Sequence, residues 1–396
     1  MKLRKLLEQA RELEGYLTEI RRRIHRNPEL GFHETKTTDL IKKELSDLGL
    51  EIQPLKIETG VVAILRGNAS GPDSVTALRA DIDALPITER TGLPYASKNH
   101  GVMHACGHDG HVALLLGAAR LLSGLKDRFS GTVKFLFQPA EELLAGAQAM
   151  INAGCLRDPA PERIIATHGW PFIEAGRIGI LAGPIMASAD KFRIHIEGRG
   201  GHGAYPHMAV DPVLAAAHMV TAMQGIISRE TNPLDQAVLS TCAMKAGRTF
   251  NVIPQEALLE GTVRCMKEGL RGEIRSRLER VVKGIAAAFG CKGTLEWTGL
   301  VPPLVNDPDL TRIVKDTAKE MLGPDQVEEL TGPTMGSEDF SLYLREVPKG
   351  VLFRLGLALP GKKNIGLHND QFDFTDAALP VGAAMMAGLV LRIHRG

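Results

Sequence analysis

The sequence shows no excess of charge of either sign. Its 396 residues contain 47 Lys and Arg against 46 Asp and Glu, so the net charge is +1 with neutral histidines. No long run of one sign occurs. A nucleic-acid-binding surface needs clustered positive charge to neutralise phosphates. The composition therefore argues against nucleic acid as a partner.

Long apolar runs are also missing. No stretch approaches the roughly 20 apolar residues that a membrane-spanning helix requires. The first residues, MKLRKLLEQARELEGYLTEIRRRIHR, alternate charge with leucine at helical spacing and lack the unbroken apolar region of a signal peptide. We predict an amphipathic helix over about 3–25 and expect no membrane as a partner.

Cysteine is scarce and follows no pattern. An odd number of cysteines at irregular spacing favours free thiols in a reducing compartment over a disulfide framework, so we expect a cytoplasmic protein. The five cysteines are Cys106, Cys155, Cys242, Cys265 and Cys291.

Apolar residues, by contrast, are plentiful at 44% of the chain. The length exceeds what one hydrophobic core usually serves, so two domains are expected. Before about residue 187, helical segments alternate with the β-rich runs VVAILRG, SVTALRADID, GTVKFLFQPAEE and RIIATHGW. This alternation predicts an α/β fold with a mainly parallel sheet flanked by helices.

The pattern changes near Ala187. From there to about residue 302 the predicted elements follow the order β-α-β-β-α-β, which is typical of a ferredoxin-like α+β domain. The α/β pattern then resumes. We therefore predict a discontinuous catalytic domain, residues 1–186 and 303–396, interrupted by an inserted lid or dimerisation domain, residues 187–302.

The densest group of reactive side chains is HACGHDGH, at the start of a predicted helix. Cys106 and His108 are separated by one residue, so a loop can turn both side chains toward one point. The positive end of the helix dipole favours a thiolate there. Such a cluster usually indicates metal binding or catalysis. The alternative is a buried cysteine beside capping polar residues.

Further candidates follow apolar runs elsewhere in the chain. Glu141 and Glu142 end the strand FQPAEE, His168 ends RIIATHGW, and His368 lies in GLHNDQFDF. Catalytic groups in open α/β sheets lie beyond the carboxyl ends of strands, so we predict one shared site. The alternatives are a solvated acidic start to a helix and histidines that belong to the core or the surface.

The motifs of this chain and their order resemble those of the amidohydrolase branch of the two-metal aminoacylase/carboxypeptidase family. That branch includes hippurate hydrolases, N-acyl-amino-acid amidohydrolases, thermophilic carboxypeptidases and plant indole-acetyl-amino-acid hydrolases. The resemblance runs nearly end to end. It rests on RRRIHRNPELGFHE, ALRADIDALPI, HACGHDGH, FQPAEE, GRGGHGAYPH, NVIPQ, GSEDFS and GLHNDQFDF.

The resemblance implies a site for two divalent metal ions per chain, with Glu141 as general base. Relatives have a His-x-Asp ligand motif where this chain has Arg79-Ala-Asp81. Asp81 would then orient a ligand histidine, or else pair with Arg79 as a structural carboxylate. Thiolate, imidazole and carboxylate together suit Zn²⁺, Mn²⁺, Co²⁺ or Ni²⁺. The implied ligands are Cys106, His108, Glu142, His168 and His368.

The resemblance also implies roles within the inserted domain. His202 would donate a hydrogen bond to the reaction's oxyanion across a dimer interface, and Asn251 and Arg264 would line the substrate site. The alternatives are a glycine-rich turn with surface histidines and an ordinary strand-surface arginine. A homodimer or a dimer-based oligomer is expected.

The function implied is metal-dependent hydrolysis of the amide bond of N-acyl- or N-aroyl-L-amino acids, which releases a carboxylic acid and a free amino acid. One alternative is a carboxypeptidase that acts on short or N-blocked peptides. Others are N-acetyl-diaminopimelate deacetylation and a metal-free binding protein on the same fold. The presence of Glu141 and of all five implied ligands argues against the last of these.

Overall fold

The computed structural model describes residues 3–394. Its α-helices are α1 (Leu3–Glu12), α2 (Glu14–His25), α3 (Thr35–Asp47), α4 (His108–Ser123), α5 (Gly146–Asn152), α6 (Pro212–Glu230), α7 (Glu268–Ala288), α8 (Pro308–Leu322), α9 (Phe340–Glu346) and α10 (Leu379–Ile393). Its strands are β1 (Glu51–Gln53), β2 (Val61–Arg66), β3 (Val75–Asp81), β4 (Thr132–Gln138), β5 (Arg163–Glu174), β6 (Ile178–Ile180), β7 (Gly183–Met186), β8 (Ala189–Glu197), β9 (Gly201–His202), β10 (Ala237–Ala246), β11 (Val252–Ile253), β12 (Glu256–Cys265), β13 (Lys292–Val301), β14 (Leu304–Asn306), β15 (Val327–Glu329) and β16 (Gly350–Ala358). The predicted N-terminal helix is divided into α1 and α2 by a turn at Leu13.

The chain forms two compact units. The first comprises the described residues up to Gly183, Val305–Gly332 and the described residues from Leu342 onward. The second comprises Pro184–Leu304 and Pro333–Ser341. Compared with the predicted insertion, the second unit therefore also includes a short segment from the last third of the chain.

An eight-stranded sheet forms the centre of the first unit, in the order β1-β2-β4-β3-β5-β16-β6-β15. The adjacent strands β4, β3, β5 and β16 are parallel, as are β6 and β15. Helices flank the sheet, so the predicted α/β class is confirmed. The sheet is more mixed than predicted, because β1–β2, β2–β4 and β16–β6 are antiparallel.

The central strands bring their carboxyl ends to one edge of this sheet. Every residue of β3 and β4 is buried, as expected for apolar strands covered on both faces. The last residue of β3, Asp81, lies opposite the last residue of β4, Gln138. The segments that follow these two strands therefore start side by side.

Helix α4 is apolar around nearly its whole circumference, which is typical of a helix enclosed by protein. Two of its glycines permit close packing. A Cβ atom at Gly110 would lie 2.5 Å from the ring of Phe374, and one at Gly117 would lie 2.6 Å from Leu17 on α2. The N-terminus of α4 carries His108.

Helix α10 is the most apolar helix of the core. The segment Asp376–Ile393 is long and apolar enough to cross a membrane by length and composition alone, but 72% of it is buried inside the protein. It packs against α1, α2, α4 and α8. The helix therefore fills the core of the first unit.

The second unit is an antiparallel four-stranded sheet in the order β10-β12-β8-β13, with α6 and α7 packed against it. Burial alternates along β12, so one face is covered and the other is open. Asp211 caps α6 by accepting a hydrogen bond from the backbone N–H of Val213 at 2.8 Å. The chain order β8-α6-β10-β12-α7-β13 matches the predicted ferredoxin-like arrangement.

Candidate metal centre

The loop before α4 presents two of the predicted ligands. Gly107, between Cys106 and His108, adopts φ +87°, a conformation that favours glycine because it has no Cβ atom. Cys106 and His108 are both buried, and the Cys106 Sγ atom lies 3.6 Å from Nε2 of His168, which lies within β5 and not at its end as predicted. The loop thus directs the thiol toward a histidine of the sheet.

The acidic pair follows β4 in a tightly held turn. Glu141 is buried and Glu142 is half-buried. The preceding residue, Ala140, has φ +52°, which is strained for a residue with a Cβ atom. Its backbone N–H donates to Oε1 of the buried Glu34 at 2.8 Å, and the N–H of Glu142 donates to Oδ2 of Asp83 at 3.0 Å. Two carboxylates therefore fix the backbone on either side of Glu141.

His368 comes from the last third of the chain but lies beside the same loop. Its backbone N–H donates to the carbonyl oxygen of Ala105 at 2.8 Å, which joins it to the segment of Cys106. Its Nε2 atom lies 3.4 Å from Oε1 of Glu142.

The donor atoms of all five predicted ligands lie in overlapping groups. Within each group the potential ligand atoms are within 4.8 Å of one another. The groups are Cys106–His108–His168, Cys106–Glu142–His368 and His108–Glu141–Glu142. Cys106, His108 and Glu142 each belong to two of these groups, so the three groups share ligands.

Two buried atoms of this cluster fit a metal ion in particular. Within residues 3–394, Nε2 of His108 and Oε1 of Glu142 have no hydrogen-bond partner, and such atoms are costly to bury unless something else binds them. The other ring nitrogen of His108, Nδ1, lies 3.0 Å from Oδ1 of Asp83. A carboxylate in that position holds the imidazole with the Nε2 lone pair turned to the cluster, as around metal-binding histidines.

Burial and neighbouring carboxylates control protonation in the cluster. Burial raises the pKa of the Cys106 thiol well above its usual value, and the charge of Glu142 raises it further. Burial acts to lower the pKa of His108, but Asp81 and Asp83 outweigh it and raise that pKa to about 10. The excess of negative charge attracts protons, and a divalent cation satisfies the same electrostatic demand.

Asp81 contacts a histidine outside the predicted ligand set. Its Oδ1 atom lies 2.6 Å from Nδ1 of His111, and Oδ2 accepts a hydrogen bond from Arg79 at 2.7 Å. The Nε2 atom of His111 accepts from the backbone N–H of Gly169 at 2.8 Å, so both ring nitrogens are used. Asp81 is 3.8 Å from Nε2 of His108, and the carboxylate in contact with a predicted ligand histidine is Asp83.

Sequence reasoning missed Asp83 and Glu34, although a signal for Asp83 was present. In an extended segment, residues two apart face the same side, so the run Asp81-Ile-Asp83 directs both carboxylates to one region. Glu34 is 106 residues from Ala140, and no local pattern connects them.

The remaining predicted site residues lie in the second unit. His202 on β9 pairs with Val252 on β11, and Gly203 N–H donates to the carbonyl oxygen of Asn251 at 2.8 Å. His202 and Asn251 are therefore neighbours, and both are exposed. The Nδ1 atom of His202 accepts from the backbone N–H of Ala204 at 3.1 Å, which leaves Nε2 as the donor of a neutral ring. Arg264 is half-buried on β12 and donates to the Ser337 hydroxyl.

Together, the fold and this cluster define a metal-dependent amidohydrolase. The sequence model of Peptidase family M20/M25/M40 matches residues 77–392. The chain belongs to this family, and the resemblance found in its motifs is confirmed.

Curated relatives and solved structures cover almost the whole chain. An N-acetyl-L-cysteine deacetylase of Bacillus subtilis (strain 168) is 44% identical over 86% of this chain and 80% of its own length. The hippurate hydrolase of Campylobacter jejuni is 37% identical over 98% and 99%. The crystal structure of Bacillus subtilis YXEP, described as a dinuclear metal binding peptidase, has a TM-score of 0.85 at 36% identity and covers 97% of this chain and 99% of that one.

Proposed function

We propose that this enzyme hydrolyses the amide bond of N-acyl- or N-aroyl-L-amino acids with two divalent metal ions. The observation that supports this most directly is that the three ligand groups share Cys106, His108 and Glu142, with no hydrogen-bond partner for Nε2 of His108 and Oε1 of Glu142 within residues 3–394. The names of two relatives, a deacetylase of N-acetyl-L-cysteine and a hippurate hydrolase, support N-acyl amino acids as the substrate class.

The donor set favours transition metals. Cys106, His108, Glu142, His168 and His368 offer one thiolate, one carboxylate and three imidazoles, which suit Zn²⁺, Mn²⁺, Co²⁺ or Ni²⁺ better than Mg²⁺ or Ca²⁺. When bound, such ions acidify water and polarise a carbonyl group. The protein's own contribution is a preformed set of ligands, of which Cys106, His108 and His168 are buried, Glu142 is half-buried and His368 is exposed.

Glu141 is assigned the proton transfers. It is buried next to Glu142 and in one ligand group with His108, so its carboxylate faces the reaction site. As general base it takes a proton from the attacking water. It then delivers that proton to the amide nitrogen, which leaves as the amine when the C–N bond breaks.

His202 is assigned to the site of a neighbouring subunit in a homodimer. His202 is exposed, and because its Nδ1 accepts from the N–H of Ala204, its Nε2–H is available to donate to the developing oxyanion. Asn251 and Arg264 are assigned to the carboxylate of the substrate. The cytoplasm remains the proposed location.

A second candidate activity is that of a carboxypeptidase. A relative from Saccharolobus solfataricus named thermostable carboxypeptidase 2 is 37% identical over 98% of both chains. Peptides and N-acyl amino acids share the amide bond that the proposed mechanism cleaves, so the two activities differ in which acyl group is accepted.

The test combines metal analysis with a substrate panel. We expect the purified protein to contain up to two transition-metal ions per chain, and chelation to abolish hydrolysis of N-acetyl- and N-benzoyl-amino acids until metal is restored. Full activity of the metal-stripped enzyme would refute the proposal. Faster turnover of peptides than of every N-acyl amino acid would favour the carboxypeptidase.

A further inference from the structure

Arg21 on α2 is a fully buried arginine whose three side-chain nitrogens all face carboxylates. Its Nε atom donates to Oδ2 of Asp109 at 2.7 Å, Nη2 donates to Asp373, and Nη1 donates to Oδ1 of Asp376 at 3.3 Å. The motif RRRIHR that contains Arg21 has no role in the proposed chemistry. A buried ionic cluster of this size is costly to desolvate, so its position in the fold needs an explanation.

The carboxylates that Arg21 binds belong to two separate ligand-bearing segments. Asp109 directly follows His108 in the first turn of α4. Asp373 and Asp376 lie shortly after His368 in the chain. One guanidinium group therefore contacts both the segment that carries Cys106 and His108 and the segment that carries His368.

The charges of the cluster show why the two segments depend on this contact. Three carboxylates converge on one guanidinium, and without it they would repel one another in a site of low dielectric constant. His25 offers a second contact to Asp109 at 2.8 Å, and Tyr95 donates to Asp373 at 2.8 Å. Neither of these side chains bonds to both segments.

We propose that Arg21 is a positioning residue for the metal centre. By binding Asp109 and Asp373 together, it adds a side-chain link between the Cys106–His108 segment and the His368 segment to the backbone hydrogen bond from His368 to Ala105, so the ligands of both are arranged before an ion arrives. This inference rests on the proposed metal-dependent function. It adds to that function a residue that contacts neither substrate nor metal.

The geometry requires arginine and not only a positive charge. A guanidinium presents its N–H groups in a rigid planar fork that can hold several carboxylates at fixed angles. A lysine ammonium is a flexible point charge, so Arg21→Lys preserves the charge and loses the fork. Arg22 provides a matched control, because it is adjacent, 39% exposed, and bonds to Asp376 but not to the other two carboxylates.

The experiment titrates the full-length, metal-stripped protein with Co²⁺ and follows the thiolate-to-cobalt absorption band in the near ultraviolet. Groups that orient metal ligands typically change affinity by 10–100-fold, and because Arg21 acts through Asp109 and Asp373 we expect the lower end, about tenfold weaker binding in Arg21→Lys. Activity should return toward that of the wild type at excess metal, because the ligands themselves are intact. Arg22→Ala should bind Co²⁺ as the wild type does.

Wild-type protein and Cys106→Ser distinguish failure of the proposed metal site from failure of the proposed role of Arg21. If the wild type gives no band that Cys106→Ser removes, the proposed metal site fails. If the band is present but Arg21→Lys, folded by circular dichroism, shows wild-type affinity, only the role of Arg21 is overturned. Should Arg21→Lys not fold, the double variant Asp373→Ala/Asp376→Ala serves instead, since both carboxylates are partly exposed and together they link Arg21 to the His368 segment. Unchanged Co²⁺ affinity in that variant refutes the proposal.

Discussion

Replacing Asp83 with asparagine keeps the shape of a buried side chain but removes one of its two acceptor functions. In the structure, Oδ1 lies 3.0 Å from Nδ1 of His108, and Oδ2 accepts from the N–H of Glu142 at 3.0 Å. An asparagine can present its oxygen to only one of these partners. The amide nitrogen then faces the N–H donor of the other partner, and two donors cannot bond to each other, so one contact to a predicted metal ligand is lost.

The expected cost follows from that lost contact. An unsatisfied buried donor costs about 1–3 kcal/mol, and loss of a group that orients a metal ligand weakens metal binding by about 10–100-fold. We therefore expect Asp83→Asn to bind Zn²⁺ or Co²⁺ at least tenfold more weakly, measured by competition with a chromophoric chelator. Turnover at saturating metal should change less than affinity does.

Asp81→Asn is the matched comparison, because Asp81 is equally buried but contacts His111 and Arg79. We expect it to lower the free energy of unfolding, since Arg79 loses a buried ionic partner, and to change metal affinity less than Asp83→Asn does. The reverse ranking of the two variants in metal affinity would refute this assignment and return to Asp81 the role that the sequence suggested.

Four further outcomes are expected. Glu141→Gln should retain metal, measured by elemental analysis, and lose at least about 10²-fold in kcat. Glu142→Gln should instead lose metal. The opposite pattern would exchange the roles assigned to the two carboxylates. If His202 serves the partner's site, mixing Glu141→Gln with His202→Ala chains should restore about a quarter of wild-type activity, and a monomeric active enzyme would exclude this. The carboxylate of Asp109 outweighs burial and raises the pKa of His25 to about 9. Protonated His25 therefore stabilises the fold fully below about pH 6.5, and this contribution, on the order of 3 kcal/mol, is lost as pH rises through 9. The free energies of unfolding of wild type and His25→Gln, measured by urea denaturation, should converge at high pH. Burial raises the pKa of Glu34 from 4.5 to about 7, so stability is lost as pH rises from 4.5 to about 7 and does not return above it. Glu34→Gln should therefore be more stable than the wild type at pH 8 but not at pH 4, and a uniform loss of stability would contradict this.

The parts of the site that could be predicted from sequence are those that cluster locally. Cys106 and His108 are separated by one residue, and Glu141 and Glu142 follow the apolar strand β4, whose carboxyl end lies beside that of β3. His168 was expected at the end of a strand and lies within β5. Each of these signals needs only a motif and a strand prediction. The ligand groups of the structure contain all of these residues.

The supporting residues could not be predicted in the same way. Arg21 bonds to Asp109, 88 residues away in the sequence, and to Asp373, 352 residues away. Neither local spacing nor hydrophobic periodicity predicts contacts at such sequence separations. The antiparallel pairing of β1, β2 and β4 was missed for a related reason. The apolar pattern of a buried strand does not indicate whether its neighbours run parallel or antiparallel to it. The neighbours themselves are determined by the whole fold.

The position of α10 determines when the first unit can fold during synthesis. This helix fills the core between α1, α4 and α8. Strand β16, which pairs in parallel with β5, lies a short distance before α10 in the chain. Both are translated after the other helices and strands of the first unit. Ribosome-bound chains therefore expose the apolar surface of α4 until α10 has been translated, and chaperones can bind that surface in the meantime. The four-stranded sheet of the second unit and its two helices, all within Pro184–Leu304, have a core of their own that can form earlier.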